Sequence, residues 1–299
     1  MASFDVRVHE GPAGDLAYRL FEPPAWKEPR RLLVMLHGCT QDSGDLAVGT
    51  GMNGLAEEAG FAVLYPEQSA AAHTQRCWTW YDRAQQRADG SEVTRLTSLV
   101  RGVTAALNVD PDHTYLAGIS AGGAMANILA VVHPEMFAGL AVHSGIPFGA
   151  AEDVTEGLTT MQHGGAPGPI AAEGPAFDAA RRARTPARVI VLHGGADSVV
   201  RPVNGQQVAA QWAAILDGRE RRAGSAGLAE VQEEDRLEGG RAGKVRVWRD
   251  RVGDERVYLG EIEGLGHAWS GGSPEGTYTD PVGPSASRLI ATFLGLLPS

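Results

Sequence analysis

Short unbroken apolar runs alternate along this chain with stretches in which apolar residues recur every three or four positions. The first kind reads as strands buried on both faces, the second as helices that bury one face. Arg31 to Leu36, Phe61 to Tyr65, His113 to Ala117, Phe137 to Val142 and Ala187 to His193 are of the first kind. Val93, Leu96, Leu99, Val100, Val103 and Leu107 predict a helix over Glu92 to Leu107. Met52 to Ala59, Ala124 to Val132, Val203 to Leu216 and Ser285 to Leu297 read as further helices. Phe4 to Val8 and Leu16 to Phe21 predict an antiparallel pair joined at Gly11-Pro12-Ala13-Gly14, and Val245 to Trp248 and Val257 to Ile262 close the series of strands. Pro66 is expected to stop the strand before it, because proline cannot donate to a ladder. Buried strands alternating with helices predict one α/β domain over residues 1–299, with a mainly parallel sheet covered on both faces.

Two segments break the rhythm. Residues 147–185 are rich in glycine, alanine and proline without strong periodicity, and are expected to form a cap or lid insertion over the site, partly helical near Phe177 to Arg184. Residues 219–243 are charged and glycine-rich and read as an exposed excursion.

Composition adds mainly exclusions. A formal net charge of -10 over 299 residues leaves no basic stripe for nucleic acid or an anionic membrane surface. The densest basic cluster, Arg181-Arg182-Ala183-Arg184, reads as a solvated helix face. No window has the apolar length of a membrane span. The first ten residues alternate apolar and polar positions and lack the layout of a secretion signal, which leaves open a cytoplasmic protein or a secreted one whose leader has been removed. Cys39 and Cys77 are too few for a disulfide scaffold and make no zinc site by themselves.

The chemistry centres on Gly118-Ile119-Ser120-Ala121-Gly122, set between a predicted strand and a predicted helix. That context is what a nucleophile elbow requires, with glycines where a Cβ would collide and the serine lifted above the sheet. A serine hydroxyl is a poor nucleophile until a base takes its proton, and the base needs a third group to orient it. Asp197 follows a buried strand, and His267 sits in a Gly-flanked loop past the strand ending at Ile262. Asp153 and Asp217 are rival acids, but one lies in the irregular insertion and the other at a helix end. His37, His133, His143 and His193 all precede the acid in the chain. The order Ser120, Asp197, His267 is that of an α/β-hydrolase. An oxyanion needs preorganised donors, and the backbone amides of Ala121 and of Cys39, in His37-Gly38-Cys39-Thr40, are the candidates. Trp78, Trp80, Tyr81 and Trp269 are expected to line an acyl or aryl pocket.

Four motifs now stand in order: Leu36-His37-Gly38-Cys39-Thr40-Gln41, Cys77-Trp78-Thr79-Trp80-Tyr81, Gly118 to Gly123, and Gly266-His267-Ala268-Trp269-Ser270-Gly271-Gly272. Together they resemble the polyhydroxybutyrate-depolymerase family of esterases, a group related to feruloyl and acetylxylan esterases. The resemblance runs from about Arg31 to the C-terminal helix. It implies an α/β-hydrolase fold, no metal or cofactor, the Ser120–His267–Asp197 triad, and pairing of Cys39 with Cys77. A small or oligomeric ester of a short acyl or 3-hydroxyacyl group is the expected partner; the oligomeric state is left open. Acyl transfer to an alcohol is the rival within enzymes, and a non-catalytic binding protein the rival outside them, although such proteins typically lose a triad member.

Overall fold

The computed structural model describes residues 4–167, 175–183, 186–234, 237 and 239–298. The strands are β1 (Arg7–His9), β2 (Leu16–Phe21), β3 (Leu32–Leu36), β4 (Ala62–Glu67), β5 (Thr114–Ile119), β6 (Gly139–His143), β7 (Arg188–Gly194), β8 (Ala229–Glu234), β9 (Gly243–Arg249), β10 (Glu255–Ile262), β11 (Trp269–Ser270) and β12 (Thr279–Asp280). The helices are α1 (Ser43–Thr50), α2 (Met52–Ala59), α3 (Ser91–Leu107), α4 (Ala121–Val132), α5 (Val154–His163), α6 (Pro175–Arg182), α7 (Val203–Arg222) and α8 (Ala286–Phe293).

Among the described residues, β1 to β10 form one 10-stranded sheet in the order β1-β2-β4-β3-β5-β6-β7-β10-β9-β8. The six strands from β4 to β10 in that order pair in parallel, and antiparallel strands finish both sides. This is the α/β-hydrolase arrangement. The two-residue period of a strand explains the layering. Leu32, Val34 and Leu36 of β3 join the core under α3, α4 and α7, whereas Leu33 and Met35 join the core under α1, α2 and α8. Both faces being covered, β3 has no exposed position and its sequence carries no polar residue.

Several boundaries differ from those expected. The strand before Pro66 runs on to Glu67, because β3 pairs only with residues 62–64 and the ladder on that side has ended before the proline. The described part of residues 219–243, expected to be an exposed excursion, holds regular elements. It contains the end of α7 and the edge strand β8, which pairs along β9 from Ala229 to Glu234. The described parts of 147–185 hold α5 and α6, and the rest of that segment lies outside the described residues. Phe148 meets Phe177 edge to face at 5.2 Å, and Arg219 of α7 donates to the Ala180 carbonyl, so this segment packs onto the helical layer. No helix of the described residues is long and apolar enough to cross a membrane.

The parallel order places the site. The chain leaves β3 to one side for β4 and returns to the other for β5, so the crevice beyond the ends of β3 and β5 is a topological switch point. The His37–Gln41 loop and Ser120 both emerge there.

Candidate active site

Ser120 joins β5 to α4 with φ 56° and ψ -124°, a backbone conformation costly for a residue with a Cβ. The flanking glycines make it possible. A Cβ on Gly118 would lie 2.3 Å from the Gly122 carbonyl oxygen, and one on Gly122 would lie 2.2 Å from that of Leu36. The turn is anchored by the Ser120 amide, which donates to His143 O at 2.9 Å, and Ser120 O accepts from Ala124 N to start the helix.

The side chains of three strand ends converge on this turn. Ser120 Oγ lies 2.9 Å from His267 Nε2, and His267 Nδ1 lies 2.7 Å from Asp197 Oδ2. The second carboxylate oxygen of Asp197 accepts from the amides of Val199 and Val200, each at 2.9 Å, which fixes the direction of the first. Burial by itself would raise the Asp197 carboxyl. The hydrogen bond from His267 and the Val200 amide outweigh it and hold the group below the ordinary range. An ionised carboxylate only accepts, so His267 Nδ1 carries the proton and Nε2 is left to accept from the serine hydroxyl.

Two further imidazoles stand behind the acid. His193 Nε2 donates to Val200 O at 2.8 Å, 3.5 Å from Asp197 Oδ2. His143 accepts from the Ser270 amide through Nε2 and stacks on Trp269 at 5.0 Å. Burial lowers both, His143 to about 3, so they sit neutral beside the carboxylate.

The loop after β3 is held from every side. His37 Nε2 accepts from the Gln68 amide, so its Nδ1 donates to Gly38 O at 2.8 Å. The Gly38 amide donates to Gln41 Oε1, the Thr40 amide to Gln75 O, and the Gln41 amide to Gly38 O. The Cys39 amide has no such acceptor among the described residues. The Ala121 amide opens α4, where no intrahelical acceptor exists. Cys39 and Cys77 form a disulfide that ties this loop to the aromatic segment. Beside Ser120 and His267 lies a cavity of about 310 Å³ whose walls include Cys39, Gln75, Met161, Val199 and Tyr278. Among the described residues, no group of three or more histidine, cysteine, aspartate or glutamate side chains is placed to hold a metal ion.

The Esterase PHB depolymerase family matches residues 16–236. The chain belongs to that family. Poly(3-hydroxyalkanoate) depolymerase C of Paucimonas lemoignei is 26% identical over 275 residues, covering 89% of this chain and 63% of that protein. The probable acetylxylan esterase A of Aspergillus fumigatus is 26% identical over 215 residues, 69% of this chain and 56% of its own length. Poly(3-hydroxybutyrate) depolymerase of Ralstonia pickettii is 32% identical over 153 residues, 49% and 30% respectively. The chain thus spans less than two thirds of the length of these relatives. The solved acetyl xylan esterase from Aspergillus awamori superposes with a TM-score of 0.68 over 98% of this chain and 100% of its own, at 17% identity, a likeness of fold. For this member of the esterase family, the match to residues 16–236 contains Ser120 and Asp197, while His267 lies beyond it.

Among the described residues, the wall of that cavity does not include the four aromatics expected there. Trp78 and Trp269 are each 1% exposed and Trp80 is 7% exposed. Trp78 donates its indole N–H to His37 O, and Trp269 donates to Ser287 Oγ. Trp80 and Tyr81 meet edge to face, and Gly157 of α5 closes on them. An indole that finds a buried acceptor gains the burial of its large ring, about 2–3 kcal/mol, without leaving a donor unpaired. Trp78 and Trp269 therefore brace the site from behind. The cavity wall instead uses residues that the sequence reading passed over: Tyr278, Met161 and Val199. Met161 comes from the 147–185 segment and Tyr278 from a turn-rich stretch without periodicity, whereas the wall residues of the His37–Gln41 loop, Ile119, Ser120 and His267 all stand inside the quoted motifs.

Proposed function

We propose that this protein is a serine esterase acting on esters of short acyl or 3-hydroxyacyl groups through an acyl-enzyme. The observation that carries this reading is the continuous relay from Ser120 Oγ through the His267 ring to Asp197, at 2.9 and 2.7 Å. Ser120 Oγ attacks the ester carbonyl as His267 Nε2 takes its proton, and Asp197 stabilises the imidazolium. The amides of Cys39 and Ala121 receive the oxyanion; donors of this kind are worth about 3 kcal/mol each. His267 then protonates the departing alcohol, and water repeats the sequence on the acyl-enzyme. A cavity of about 310 Å³ lies at the small end of ligand pockets and suits a short acyl group.

The relatives named for poly(3-hydroxyalkanoate) and for acetylxylan support two substrate classes, hydroxyacyl oligomers first and acetylated sugars second. A panel of p-nitrophenyl acetate, butyrate and octanoate, hydroxybutyrate oligomers and acetylated xylo-oligosaccharides separates them. Ser120→Ala is expected to lower kcat for the p-nitrophenyl esters by about 10⁴-fold or more while circular dichroism stays native. Retained activity would remove Ser120 from the mechanism. Failure of a fluorophosphonate probe to label the folded wild type would favour a non-catalytic binding protein.

A further inference from the structure

Tyr278 is an anomaly that core packing does not explain. It is a bulky aromatic residue at φ 51°, and it is 46% exposed. Its backbone is pinned on both sides. Thr277 donates its amide and its hydroxyl to Asp45, and Gln41 Nε2 donates to Thr277 O. On the other side Tyr278 O accepts from the Trp269 amide, and Thr279 pairs with Trp269 between β11 and β12. These bonds impose the left-handed conformation and turn the ring toward the site. There its edge-to-face contact with His267 spans 6.4 Å, and its hydroxyl lies 3.0 Å from Thr40 Oγ1 on the loop that holds Cys39.

Chemistry says which half of an ester meets this ring. When the tetrahedral intermediate collapses, the bond between the carbonyl carbon and the alcohol oxygen breaks. The electron pair stays on that oxygen, and His267 Nε2 delivers a proton to it. The oxyanion points the other way, toward the Cys39 and Ala121 amides. The alcohol half therefore departs on the His267 side, where Tyr278 contributes its ring to the cavity wall.

Resting on the esterase reading above, we infer that Tyr278 is a specificity-determining residue for the alcohol half of the ester, its ring favouring flat, aromatic alcohols by stacking. The Asp45–Thr277–Gln41 clamp holds the ring in place, and the Thr40 hydroxyl bridges it to the oxyanion loop.

The test compares ratios of kcat/KM, so that intrinsic ester reactivity cancels between variants. One series fixes the acetyl group and varies the alcohol, phenyl and 2-naphthyl against ethyl and cyclohexyl. The other fixes p-nitrophenol and varies the acyl group, acetyl against butyryl. Tyr278→Leu, which keeps bulk without a π face, is expected to lower the aryl-to-alkyl ratio by about fivefold and to leave the acyl ratio within about twofold. Tyr278→Phe should keep the wild-type aryl preference, because the ring remains. A Tyr278→Leu protein that melts like the wild type with both ratios unmoved would overturn the assignment. So would a change confined to the acyl ratio, which would put the ring on the acyl side. A wild type inert toward every ester would instead bring down the esterase reading itself.

Discussion

At the scale of single residues, the environment of Asp197 joins stability to the site. The carboxylate is 1% exposed yet ionised, because His267 and two backbone amides bind its charged form. The three buried histidines behave oppositely: burial lowers His37, His143 and His193, with His143 near 3. Between its folded value and the ordinary 6.5, such a histidine is neutral in the native protein and protonated in the unfolded chain. For His143 unfolding then takes up a proton, so its contribution to stability is complete above pH 6.5 and falls as the pH drops toward 3, by about 1.4 kcal/mol per pH unit, and His37 and His193 act in the same direction. Asp197 has the depressed carboxylate's window, with its contribution complete above 3.8 and lost only below it. It adds nothing to the slope near neutrality. Urea unfolding at pH 7.5, 6.0 and 5.0 should show the loss in the wild type, and His143→Gln should lessen it by about 1.4 kcal/mol per unit below pH 6. Equal slopes would mean that His143 is solvated or charged in the native state.

At the scale of elements, two glycines on helices make opposite demands. Gly122 lies where α4 presses on the end of β3, and a Cβ there would meet the carbonyl oxygens of Leu36 and His37 at 2.2 and 2.5 Å. Gly122→Ala is expected to cost about 3 kcal/mol or more and to displace the loop after β3, lowering the proposed esterase activity as well as the melting temperature. Gly54 lies in α2 with nothing within 4 Å of an added Cβ. Gly54→Ala should raise stability by about 0.5–1 kcal/mol, since it only removes backbone freedom from the unfolded chain. A melting curve for each variant checks both signs. The same contrast explains α1, which the hydrophobic pattern did not reveal. Its sequence, Ser43-Gly44-Asp45-Leu46-Ala47-Val48-Gly49-Thr50, has weak helical propensity. It forms because Asp42 caps it through the Gly44 and Asp45 amides and because Leu46 and Ala47 are covered by the second core.

At the scale of the whole molecule, one covalent link spans the front of the sheet. The Cys39–Cys77 disulfide closes a separation of 38 residues and joins the loop after β3 to the segment after β4. Restricting the unfolded chain over that length is worth about 3–4 kcal/mol. Cys77→Ser is expected to lower the unfolding free energy by that amount in denaturant titration, and an unchanged midpoint would mean that the bridge does not stabilise the native state. Sequence alone carries the local and the periodic: the buried strands, the helices between them, the elbow with its glycines, and Asp197 and His267 each placed past a strand end. Those are legible because burial repeats every two or every 3.6 residues and because Gly118 and Gly122 are chosen by clashes within one turn. Which surfaces meet across long separations is set by the fold as a whole. Tyr278 faces Thr40 across 238 residues, Met161 reaches the cavity from the aperiodic segment, β8 forms against β9, and the tryptophans turn their N–H groups into the core. No local pattern encodes such a meeting, because a side chain's role there depends on where a distant partner leaves an acceptor or a gap.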